Sequence, residues 1–133
     1  MTLAINLRNV NVEFRLPSGS SIYKAVSDAS LGVADGEFVS IVGPTGCGKS
    51  TLLNIAAGLI PAAKGNVEIF GEPLRSFNRR AGYLFQADAL LPWKTALENV
   101  AIGLEISGAP AASARVRADE WLGRVGLAAF RQR

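Results

Sequence analysis

Eight consecutive residues, Gly43-Pro-Thr-Gly-Cys-Gly-Lys-Ser50, constrain this chain more than any other stretch, because they fit the pattern G-x-x-x-x-G-K-[ST]. Average residue usage produces such a match by chance in about one chain in a few hundred of this length. The flanks make coincidence harder still. "FVSIV", Phe38 to Val42, is short, apolar and rich in β-branched residues, which predicts a buried strand. From Lys49 onward, Leu52, Leu53, Ile55, Ala56 and Leu59 recur at helical spacing until Pro61 ends the pattern. Strand, glycine loop, helix is the order a phosphate-gripping loop requires.

Glycines at 43, 46 and 48 let successive N–H groups turn inward toward phosphate oxygens, and the helix beginning near Lys49 adds its positive end. Lys49 is expected to reach the β and γ phosphates. The Ser50 hydroxyl is expected to ligate a Mg²⁺ that keeps most of its waters, and Thr51 to add a hydroxyl near the α phosphate. Pro44, Thr45 and Cys47 complete the loop. Cys47 is the only cysteine and the chain has no histidine, so it is read as a small loop residue without chemistry of its own. The plain alternative, a glycine-rich turn with an exposed lysine, does not account for the flanking strand and helix.

The rest of the chain reads as α/β. Leu3, Ile5 and Leu7 alternate with polar neighbours, and Val10, Val12 and Phe14 resume the alternation after Arg8 and Asn9, which predicts one strand with a slip or bulge. A turn-rich break at Pro17 to Ser21 separates it from a second strand-like run, Ile22 to Val33. "NVEIFG" and "AGYLF" predict two further short strands. Thr95 and Glu98 form a capping box ahead of the stripe Leu97, Val100, Ala101 and Leu104, and Pro110 opens a helix with Ala118, Trp121, Leu122 and Val125 on its stripe.

Fourteen Lys and Arg against eleven Asp and Glu leave a net charge of +3, scattered apart from Arg75, Arg79 and Arg80, so no nucleic-acid partner is called for. A lone cysteine excludes a disulfide framework and points to a reducing compartment. The most apolar run, Leu52 to Ala63, is well short of the ~20 residues a spanning helix needs, so a membrane role is expected to come through a partner.

In order and spacing, "ADGEFVSIVGPTGCGKSTLLNIAAGLIPAAKGNVEIFGEPL" and "AGYLFQADALLPWKTALENVAIGLE" resemble the ATP-binding subunits of ABC transporters, through essentially the whole chain. The resemblance implies a P-loop NTPase core with an N-terminal antiparallel β unit and the start of a helical subdomain. Residues 1–92 would hold the β unit, the P-loop core and the Q-loop, and 93–133 the beginning of the helical part. It implies that Gln86 is the Q-loop glutamine, touching the Mg²⁺ and the attacking water. It also implies an aromatic ring stacked on adenine, for which Phe14 aligns better than Tyr23. "QADALLPWKT" most resembles subunits that energise uptake of nitrate, sulfonates or taurine, placing Leu90, Leu91, Pro92 and Trp93 against an integral membrane permease. Further implications are a homodimer with a second ATP-binding subunit, and a cytoplasmic location on the inner face of the plasma membrane.

The family pattern also contains a signature motif, a Walker B aspartate, a catalytic glutamate and a switch histidine, and none is found in these residues. "WLGRVGLAAFRQR" resembles the segment just ahead of the signature, so the chain is expected to be incomplete, poorly soluble by itself, and a binder of ATP that does not hydrolyse it alone. A GTPase or nucleotide kinase is the remaining alternative, and no N-K-x-D motif follows the loop to support the first.

Overall fold

A computed structural model describes residues 2–15, 21–87 and 89–133 of the chain. Pro17 to Ser20 of the expected break, and Asp88, lie outside the described residues. The chain divides into two compact units, Met1–Tyr83 and Leu84–Arg133.

The first unit is built on strands β1 (Leu3–Arg15), β2 (Ile22–Ala34), β3 (Lys64–Ile69) and β4 (Glu72–Pro73), paired antiparallel in the order β2-β1-β3-β4. The expected slip in β1 is a bulge between Leu7 and Val10. A bulge changes which parity of residue faces inward. Leu7 on one side and Val10 and Val12 on the other therefore all reach the core, at 1%, 0% and 2% exposure. Asn9 takes the left-handed conformation at the bulge, where its amide donates to Ser30 Oγ (2.9 Å) and its side chain to Asp28 (2.8 Å). Helix α1 (Lys49–Ala56) lays Ile55 into the same core, with Leu52 and Val67 packed around it. The helix ends before Leu59, short of the run expected to reach Pro61. The amides of Gly58 and Leu59 instead close on the carbonyls of Ile55 and Asn54, at 2.9 and 2.8 Å, a Schellman motif that spends the last turn's acceptors.

Phe38 to Val42, expected as a buried strand, belongs to no ladder: Phe38 is 94% and Val42 85% exposed, and no main-chain bond of this segment has a protein partner among the described residues. "AGYLF" likewise forms no strand, with Leu84 97% exposed. β propensity measures fit to a half-buried pleated surface, and both segments have the residues for a strand without a neighbouring strand to register on. A cavity of about 570 Å³ lined by Phe38, Val39, Ile41, Leu52 and Leu53 runs beside the first segment, so apolar surface of α1 is left uncovered. The chain by itself is therefore expected to bind a hydrophobic dye and to associate at micromolar concentration. Replacing both Phe38 and Val42 with aspartate should sharply reduce both effects; monodisperse, dye-free wild-type chain in sedimentation would contradict this.

In the second unit, α2 (Ala96–Ile106) starts from the capping box as expected. Glu98 N–H donates to Thr95 Oγ1 (3.2 Å) and Thr95 N–H to Glu98 Oε2 (2.9 Å). That main-chain bond from Thr95 is the chief reason the Glu98 carboxyl lies below the usual carboxylate range. Helix α3 (Ala111–Arg124) packs on α2 through small residues, with Ala101, Ala114 and Ala118 fully buried, and a 3₁₀ turn at Ala128–Phe130 follows. Ala114, Ala118 and Leu122 at spacing four make the buried stripe of α3. Trp121 and Val125, expected on that stripe, fall on an adjacent face at 52% and 62% exposure, where the Arg124 guanidinium covers the Trp121 ring at 4.8 Å.

Candidate functional site

Gly43 to Gly48 form the loop that enters α1, and Gly48 is the residue at the helix's N-cap. Its φ is +94°, and a Cβ there would lie 2.7 Å from the Ala25 carbonyl oxygen and 3.1 Å from Val26 Cγ2. Only glycine lets the loop press this closely against β2 in a left-handed turn. Gly46, at φ +82°, turns the same way with open space around it.

This arrangement leaves main-chain donors pointing out of the protein. Cys47 N–H reaches the Pro44 carbonyl at a long 3.4 Å, and intrahelical bonding starts only with Leu52 N–H to Gly48 O at 3.0 Å. Among the described residues, the amides of Gly46, Gly48, Lys49, Ser50 and Thr51 have no protein acceptor. Orphan donors gathered at a helix N-terminus constitute an anion cradle. Lys49 folds over it, its ammonium donating to the carbonyls of Gly43 (2.8 Å) and Pro44 (2.7 Å) and lying 3.6 Å from Cys47 Sγ. Those carbonyls hold the charge beside the amides, and a phosphate oxygen is a stronger partner than either of them.

A cavity of about 260 Å³ brings these groups together with both aromatic candidates: Gly46, Gly48, Lys49, Ser50 and Thr51 line one side, Phe14 and Tyr23 the other. Phe14 and Tyr23 are direct cross-strand partners on β1 and β2, 42% and 49% exposed. The sequence treats them as alternatives, yet the hairpin register presents them side by side. Gly43, Pro44, Thr45 and Cys47 do not line this cavity. The first two serve as the carbonyl rest for Lys49. Gln86 belongs to the second unit and is exposed there. Ser50 is exposed and its hydroxyl has no protein partner. Among the described residues no group of three or more His, Cys, Asp or Glu could hold a metal ion.

The segment after Gln86 owes its shape to a residue that sequence reasoning passed over. Asn99 on α2 donates to the carbonyls of Leu91, Lys94 and Thr95 (3.1, 3.1 and 3.0 Å) and accepts from Leu91 N–H (2.8 Å). It holds a turn that leaves Leu90 71% and Trp93 75% exposed. Leu90, Leu91 and Pro92 form one rim of an apolar cavity of about 320 Å³ whose other wall is Val100, Leu122 and Leu127. The only signal in sequence was an asparagine in a helix's first turn, one position after the Glu98 of the capping box.

A glycine loop running into a helix over a bulged antiparallel sheet, with bare amides and a lysine at the junction, defines a P-loop nucleotide-binding fold. The structure of the ATP-binding cassette MJ0796, solved as a dimer in a post-hydrolysis state with ADP and Pi, superposes with TM-score 0.84 at 33% identity, covering 96% of this chain and 60% of that one. The family model for ABC transporters matches residues 26–133, and the chain belongs to that family. Among curated relatives, the taurine import ATP-binding protein TauB of Jannaschia sp. (strain CCS1) is 39% identical over 127 residues, 96% of this chain and 47% of the relative. TauB of Pseudomonas aeruginosa (strain UCBPP-PA14) is 50% identical over 100 residues, 75% of this chain and 38% of the relative. The chain thus spans about half the length, or less, of these relatives. No helix among the described residues is long and apolar enough to cross a membrane.

Proposed function

We propose that this chain binds ATP as part of the energy-coupling ATPase subunit of an importer for a small sulfonate-type solute such as taurine. One observation carries the nucleotide assignment: the cavity in which unpartnered amides, Lys49 and two aromatic rings converge. The relatives' names, taurine import ATP-binding protein, support the transported class. In this reading Gly46, Gly48 and Lys49 grip the β and γ phosphates, Thr51 meets the α phosphate, and Phe14 stacks on adenine beside Tyr23. A divalent ion such as Mg²⁺ fits the donor set, because one neutral hydroxyl at Ser50 suits an ion held mainly by nucleotide phosphates and water. By the family pattern Gln86 would be a further ligand and would orient the attacking water. When bound, such an ion would supply charge neutralisation for the phosphoryl group.

The apolar cavity bounded by Leu90, Leu91 and Pro92, with Trp93 beside it, supports docking of a permease, which would hold the subunit at the inner face of the membrane. A second ATP-binding subunit would complete the catalytic unit. For the chain taken alone the reading is ATP binding without turnover.

Calorimetric titration of the chain with MgATP tests the assignment and should show saturable binding. Phe14→Ala should weaken MgATP about fivefold, the value of one stacking contact, with Tyr23→Ala weaker in effect. Neither should alter the affinity for inorganic triphosphate, which has no base to stack. Absence of MgATP binding at millimolar concentration would refute the assignment.

A further inference from the structure

Between Pro73 and Gln86 the chain carries no acidic residue and three arginines, Arg75, Arg79 and Arg80, all exposed and all in the first unit. Among the described residues no carboxylate forms an ion pair with any of them, whereas Arg8 and Arg131 are paired with Glu68 and Asp119. In their midst Phe77 is 66% exposed. The turn that carries these side chains is fastened to its surroundings. Leu74 N–H donates to the Val67 carbonyl (2.8 Å), Asn78 N–H to the Ala57 carbonyl (2.9 Å) and Asn78 Nδ2 to the Ala56 carbonyl (3.2 Å), while Asn78 Oδ1 accepts from Arg80 N–H (3.1 Å). The main chain also presses so closely on the end of α1 that a Cβ at Gly58 would collide with the Ser76 carbonyl oxygen. Arg80 is held further, with its guanidinium over the Phe70 ring at 4.8 Å. A cavity of about 280 Å³, lined by Ile60, Pro61, Leu74, Arg75 and Ser76 among others, adjoins the turn.

We propose that Arg75, Phe77, Arg79 and Arg80 form a knuckle that binds an anionic lipid surface. An apolar ring flanked by unpaired cations matches a headgroup layer, where phosphates lie just above acyl carbon: the ring enters the boundary and the guanidiniums stay with the phosphates. Arginine suits the task, since its planar fork bonds a phosphate through two N–H groups at once. The fastened turn matters because side chains already presented outward lose less freedom on binding. Nucleic acid fits less well, because three charges on one turn of a chain whose net charge is only +3 do not make a stripe that follows a phosphate backbone. Three arginines and one ring give weak, reversible attachment. The surface shares no lining residue with the P-loop cavity, and the inference does not rest on the nucleotide assignment.

Flotation of the whole chain with vesicles through a density gradient tests it, because aggregates stay at the bottom while vesicle-bound protein rises. The chain should float with vesicles of phosphatidylcholine mixed with phosphatidylglycerol and far less with phosphatidylcholine alone, and added salt should release it. Arg75→Gln, Arg79→Gln or Arg80→Gln should each lower the partition coefficient about fivefold, and the three together about a hundredfold. Phe77→Ala should lower it several-fold without changing its salt dependence. Replacing Arg115, Arg117 and Arg124 with glutamine removes the same charge from exposed positions of α3 and should change it less than about twofold, since exposed charges farther off than a Debye length are screened. The single arginine variants alter exposed side chains without ion pairs and decide the matter if the triple variant does not fold. Failure of wild type to float with the mixed vesicles, equal flotation with both vesicle types, or an equal loss in the α3 variant overturns the proposal. So does release by saturating MgATP, which would put lipid phosphate in the P-loop cradle, or release by an RNA oligonucleotide at matched ionic strength, which would make nucleic acid the partner.

Discussion

Lys49→Ala is expected to lower MgATP affinity about a hundredfold while leaving the fold intact. A charge-assisted hydrogen bond contributes about 1.5–3 kcal/mol, and the ammonium is read as contacting two phosphates at once. Its present partners are main-chain carbonyls of Gly43 and Pro44, both exposed residues that water can serve when the lysine is gone. The melting temperature without nucleotide should therefore move little. Lys49→Arg should recover only part of the affinity, because a planar guanidinium does not match a site shaped for a compact ammonium resting on two carbonyls. Calorimetry and thermal melting of the three proteins decide the outcome. Unchanged affinity in Lys49→Ala would mean that the amides alone hold the nucleotide, or that the cradle is not its site.

Gly48→Ala is expected to damage the same site by a different route, with loss of both stability and binding. The left-handed backbone costs an alanine roughly 1–2 kcal/mol, and the added methyl meets the Ala25 carbonyl at 2.7 Å, which backbone movement alone can relieve. Together these amount to roughly 2–4 kcal/mol, and any relief comes by pushing the start of α1 off β2. That displaces the amides of Lys49, Ser50 and Thr51 together, so MgATP affinity should fall at least as far as in Lys49→Ala. Gly46→Ala is the control: it pays the conformational cost with nothing within 4 Å of the new methyl, so its stability loss should be the smaller. Equal denaturant midpoints for the two glycine variants would show that contact with β2 does not matter.

Local signals were the legible ones. The bulge at Arg8 and Asn9 is visible because a two-residue interruption in a period-two pattern has only that resolution when both halves stay buried. The Thr95/Glu98 capping box and the start of α3 after Pro110 follow from bonds and torsions within four residues. Helix α1 is shorter than its apolar stripe because Leu59 keeps the helical spacing past a point where Gly58 has already closed the last turn. Trp121 and Val125 looked like core because a 3.6-residue stripe has a width, and alanines on α3 bring α2 so near that only the centre of the stripe is covered.

By themselves, the eight residues from Gly43 to Ser50 and their flanks determined a loop that offers amides and an ammonium to phosphate, because glycine torsions, a helix start and a lysine act over distances the chain spans locally. The tertiary structure alone decided the rest. Cross-strand register made Phe14 and Tyr23 neighbours on one cavity, Asn54 found Tyr83 across 29 positions, and Phe38 to Val42 stayed outside any ladder. Such pairings depend on which distant segment supplies the other half of a hydrogen bond or a packed surface, and no local pattern encodes that partner's presence.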